Sequence, residues 1–89
     1  MDDRLRSIRG KIDGLDRRIA GLLAKRFSLA LRITREQLRK QPADHAREKR
    51  VLGNAAAAAG DKAFRAAARD VFAEVIRQTK KIQNADTHR

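Results

Sequence analysis

The chain has 89 residues, room for one helical domain over 1–89 that buries only a modest share of its surface if it folds alone. It holds no cysteine and only two histidines, His45 and His88, which excludes disulfides, thiolate metal sites and a histidine metal cluster. Lysine and arginine outnumber aspartate and glutamate by 22 to 11, and a net charge of +11 on so small a body attracts anions without identifying them.

The opening Met1-Asp2-Asp3-Arg4 lacks the apolar core of a signal peptide, and no apolar run is long enough to span a bilayer. The expectation is a cytoplasmic protein with no membrane association. One proline, scarce aromatics and abundant Ala, Leu, Ile, Arg and Lys favour helix and leave little from which to build a sheet, so the fold class is all-α.

From Leu5 the apolar residues recur as Leu5, Ile8, Ile12, Leu15, Ile19, Leu22, Leu29 and Ile33, alternating three and four as a helix-packing seam does. The spacing predicts one helix from Asp3 to Arg39. Gly10, Gly14 and Gly21 each cost roughly 1 kcal/mol against Ala, yet the periodicity runs through them. At 1.5 Å per residue such a helix is about 55 Å long, so it overhangs its own subunit, and a second copy of the chain is the economical way to bury the seam.

Gln41-Pro42-Ala43 breaks the pattern, because proline cannot continue a helix and biases its predecessor toward extended backbone. Asp44 then suits the N-cap of a second helix, from Asp44 to Ala59. Gly60 suits the position just past it, and Asp61 caps a third helix from Asp61 to Asn84, with Thr87, His88 and Arg89 frayed. The alanine runs 55–59 and 66–68 read as close helix packing through small side chains.

Polar residues interrupt each apolar face. The seam of helix 1 passes through Arg26, a guanidinium that is expensive to bury unless something negative meets it, and Arg9 flanks the same seam near the other end. Either arginine could instead extend into solvent. On helix 2, Asp44, Arg47 and Glu48 share a face with Val51, Leu52 and Ala55; taken alone, this is an ordinary first turn with a capping acid, a dipole-matched acid and a solvated arginine. On helix 3, a hydroxyl at Thr79 and a carboxamide at Gln83 break the stripe of Phe72 and Ile76. Together the three faces offer arginines for carboxylates, acids for a ligand hydroxyl and neutral hydrogen bonders for orientation. The chain shows no nucleophile with an adjacent base, no metal set and no phosphate-cradling glycine loop, so no cofactor is implied.

The segments Ile8-Arg9-Gly10-Lys11-Ile12-Asp13-Gly14-Leu15-Asp16, Leu22-Leu23-Ala24-Lys25-Arg26, Pro42-Ala43-Asp44, Arg47-Glu48-Lys49, Val51-Leu52 and 72–83 resemble, in order and spacing, the all-helical chorismate mutases. The resemblance implies an intertwined homodimer of three-helix subunits that rearranges the dianion chorismate to prephenate as part of aromatic amino acid biosynthesis. It implies that Arg9 enters the site from the partner, that Arg26 and Arg47 bind carboxylates, that Asp44 and Glu48 lie near the substrate hydroxyl, that Thr79 is the usual small hydroxyl residue, and that Gln83 hydrogen-bonds the ether oxygen of the breaking bond. Catalysis would then come from holding the compact conformer and stabilising charge on that oxygen.

One position departs from the pattern, since Gln37 stands where the family usually has a lysine that contacts both ether oxygen and carboxylate. Lys40 or Arg39 could supply the charge. Related helical enzymes eliminate pyruvate from isochorismate or rearrange 4-amino-4-deoxychorismate, and a scaffold that has lost activity through Gln37 is a further alternative. A basic nucleic-acid-binding module is the non-enzymatic one, but Arg4, Arg6, Lys11, Arg17, Arg18, Lys25, Arg32 and Arg35 spread around helix 1 and few aromatics are available to stack on bases.

Overall fold

A computed structural model describes residues 2–38 and 44–87. They form α1 (Asp3–Arg35), α2 (His45–Ala59) and α3 (Lys62–Thr87), with no strand among the described residues, as the composition predicts. The break expected at Gln41-Pro42-Ala43, and the compensating residues Arg39 and Lys40, lie outside the described residues.

Each helix begins where a side chain answers its free N–H groups. Asp2 Oδ1 accepts from the Arg4 and Leu5 amides, Asp44 Oδ1 from the Arg47 amide at 2.9 Å, and Asp61 Oδ1 from the Ala63 amide at 2.9 Å. Gly60 closes α2 at φ 74°, a conformation that a Cβ would strain.

The end of α1 corrects the expected boundary. The helix stops at Arg35, not Arg39, because Gln37 takes a left-handed conformation, φ 53°. The Gln37 amide donates to the Thr34 carbonyl at 3.2 Å and the Leu38 amide to the Ile33 carbonyl at 3.0 Å, the paired bonds of a Schellman cap. Apolar periodicity cannot forecast such a stop, since the motif satisfies orphan carbonyls with the backbone itself. The third helix errs in the other direction and runs to Thr87 rather than Asn84. There Arg35 Nε and Nη2 grip Asp86 in bidentate fashion at 2.9 and 2.8 Å, tying the last turn of α3 to the last turn of α1.

Helix α3 is the centre of the fold and packs on both α1 and α2. Helix α2 packs on α3, and the buried residues among those described are Ala55 and Ala56 of α2 and Val75 and Gln83 of α3. On α1, the face turned inward is Leu23, Arg26, Phe27, Ala30, Leu31 and Thr34, all half-buried. This face sits one step around from the predicted seam. Leu5, Ile8, Ile12, Leu15, Ile19, Leu22, Leu29 and Ile33 stay 39 to 63% exposed, and α1 buries no residue fully. At 33 residues α1 is about 50 Å long, close to the full 55 Å extent of the molecule. Its N-terminal half therefore projects beyond the helices that could cover it.

Candidate active site

Where α1, α2 and α3 diverge they leave a cavity of about 280 Å³. Arg26, Leu29, Ala30 and Ile33 line it from α1; Asp44, Arg47, Glu48 and Val51 from the start of α2; Ile76, Thr79, Lys80 and Gln83 from α3. Six of the eight residues singled out in the sequence, Arg26, Asp44, Arg47, Glu48, Thr79 and Gln83, thus meet in one space. Helical spacing explains much of this: Arg26, Glu48, Thr79 and Gln83 lie on half-buried or buried faces of their helices, while Asp44 and Arg47 are exposed at the start of α2 and line the rim.

Two hydrogen bonds set the floor. Arg26 Nη1 donates to Thr79 Oγ1 at 3.0 Å, and that hydroxyl donates onward to the Val75 carbonyl at 2.7 Å. The hydroxyl is occupied on both sides, so it positions the guanidinium and is not a nucleophile. Gln83, only 8% exposed, donates from Nε2 to the Ala30 carbonyl at 3.0 Å, which fixes the amide plane and leaves a second N–H free of that bond.

Electrostatically the site is under tension that an anion would relieve. Burial, followed by the neighbouring charge of Arg47, holds the Arg26 guanidinium below its ordinary pKa. Asp44 spends one oxygen on the cap, and Glu48 Oε2 pairs with Lys80 Nζ at 2.8 Å. His45 Nδ1 stands 3.9 Å from the other Glu48 oxygen at the outer edge. Leu29, Ile33, Val51 and Ile76 supply the apolar walls.

Gln37 and Arg9 stand outside this cavity. Gln37 is exposed in the turn beyond α1, because the Schellman cap turns it off the helix line on which it would have followed Arg26. Arg9 is exposed on the projecting half of α1, roughly 25 Å along the helix axis from Arg26. Lys80 is the residue that the sequence reading missed, although its spacing from Phe72 and Ile76 puts it on the same stripe.

The arrangement can grip carboxylates, accept from a hydroxyl and orient a compact guest by charge and shape. Among the described residues no group of three or more His, Cys, Asp and Glu could hold a metal ion, and no helix is long and apolar enough to cross a membrane.

A small all-helical fold whose interhelical cavity is lined with arginines, acids and amides defines the class, and comparison with known families agrees. The family described as chorismate mutase type II matches residues 8–84, and the chain belongs to it. No curated protein and no solved structure matches the chain.

Proposed function

We propose that this protein is a chorismate mutase that rearranges chorismate to prephenate, working as an intertwined homodimer in the cytoplasm. In this reading Arg26 and Arg47 bind the two carboxylates, Asp44 and Glu48 face the substrate hydroxyl, Thr79 orients Arg26, and Gln83 directs an N–H at the ether oxygen. The breaking carbon–oxygen bond places negative charge on that oxygen, and a pre-oriented donor in a low-dielectric cleft stabilises it most in the transition state. No proton transfer or covalent intermediate is required, which suits a cavity whose hydroxyl is already engaged.

The observation that carries this reading is the convergence of Arg26, Arg47, Glu48, Thr79 and Gln83 on one cavity in a chain of this family. The open seam of α1 supports the dimer: a second copy laid along it would cover the apolar stripe from Leu5 to Leu22. The same copy could carry its own Arg9 to the cavity, which Arg9 of the subunit itself is too far away to reach.

The test is to follow loss of chorismate absorbance with purified protein, and prephenate formation is the expected result. Isochorismate and 4-amino-4-deoxychorismate are offered in parallel, with products identified. Pyruvate release from isochorismate without prephenate formation would replace this reading with a lyase. Steeply salt-dependent DNA binding with no affinity for dicarboxylates would replace it with a nucleic-acid module.

A further inference from the structure

Among the described residues that line the cavity, Lys80 is the cation without an assigned role. It follows Thr79 on α3 and reaches across to α2, where its ammonium meets Glu48 Oε2 at 2.8 Å. Building on the reading of this cavity as a dianion site, we propose that Lys80 is a further substrate-binding cation beside Arg26 and Arg47 of the same chain, which leaves Glu48 and takes a carboxylate of the guest as it enters.

Three observations carry this. First, without Lys80 the charged lining that the described residues of this chain supply is balanced, two arginines against Asp44 and Glu48; with it that lining is net positive before Arg9 of a second copy is counted. A doubly negative guest gains little from a neutral pocket and more from a cationic one. Second, Arg26 is less free to move toward a guest than Lys80 is. Arg26 is bound to Thr79, whereas Lys80 ends a flexible stem whose side chain is 46% exposed, so its ammonium can swing at small cost. Third, a half-exposed ion pair is weak, so a guest carrying two carboxylates competes readily with the single carboxylate of Glu48. Lys80 also brings to the cavity a positive charge that Gln37, exposed beyond the end of α1, does not.

The experiment titrates isophthalate, a ring dianion without a hydroxyl, and benzoate, its monoanionic counterpart, into the native protein and into Lys80→Gln, Lys80→Arg and Glu48→Gln, with binding read by NMR. Lys80→Gln is expected to weaken isophthalate by about tenfold or more, the scale of one charge-assisted hydrogen bond. Benzoate should change by less than about threefold, and Lys80→Arg should keep isophthalate binding within that margin. Glu48→Gln removes the competing carboxylate and should tighten isophthalate binding. Equal isophthalate affinity in the native protein and Lys80→Gln, equal loss for both anions, or weaker isophthalate binding in Glu48→Gln would each overturn the proposal. Should Lys80→Gln fail to fold, the Lys80 side-chain resonances of the native protein decide: they shift on adding isophthalate if Lys80 takes a carboxylate, and no shift overturns the proposal. Turnover is read separately: Lys80-dependent isophthalate binding without chorismate loss would sink the mutase reading and leave this one standing. Chorismate turnover with Lys80-independent binding would do the reverse.

Discussion

Arg26 and Thr79, 53 residues apart in sequence, are joined by a single hydrogen bond of 3.0 Å, and that bond anchors α1 to α3 at the floor of the cavity. A guanidinium held there is costly to desolvate in the absence of a guest.

It follows that Arg26→Met should sacrifice function without sacrificing the fold. Chorismate turnover is expected to drop by about a hundredfold or more, as expected when a charged partner is removed from a buried carboxylate contact. Urea unfolding should show stability unchanged or slightly raised, because an apolar chain of similar length replaces a desolvated cation. A clear loss of stability would mean that Arg26 is structural.

Gln83 predicts the opposite balance. Its Nε2 bond to the Ala30 carbonyl pins α1 to α3 in a buried position, so Gln83→Leu should cost about 1 kcal/mol of stability as well as activity. Denaturant titration reads the first and chorismate loss the second.

At Gln37 the backbone is left-handed, where a Cβ is unfavourable and glycine is at ease. Gln37→Gly should therefore raise stability by up to about 1 kcal/mol. Gln37→Lys should leave turnover within about threefold of native, as for a surface change away from the site. A large gain in turnover would show that the end of α1 reshapes around the substrate and brings position 37 to it.

The apolar stripe of α1 tests the assembly. Ile12→Lys places a charge in the middle of the exposed seam and should yield monomers by light scattering, with turnover lost. Mixing Arg9→Ala with Arg26→Ala, each inactive alone, should restore about a quarter of native turnover, since half the dimers are mixed and each mixed dimer keeps one intact site. No recovery would place Arg9 outside the partner's site.

How much of this was legible in advance depends on the range of the signal. Helix identity, the caps at Asp44 and Asp61, and the polar interruptions at Arg26, Thr79 and Gln83 follow from residues three or four apart, a spacing the chain writes directly into its sequence. The expectation of anion chemistry follows from the same local facts, because a guanidinium withdrawn from water is best compensated by a negative partner.

Tertiary structure alone decided which face of α1 meets α3, a step around from the Leu22–Leu29–Ile33 line; that Gln37 turns away; and that Lys80 crosses to Glu48. The first and last are matters of approach between helices distant in sequence, and the turn at Gln37 is a backbone motif that side-chain periodicity does not register. Periodicity states which residues share a face, but the angle and depth at which two faces meet come from the side chains that fit between them, and no spacing within one helix encodes that.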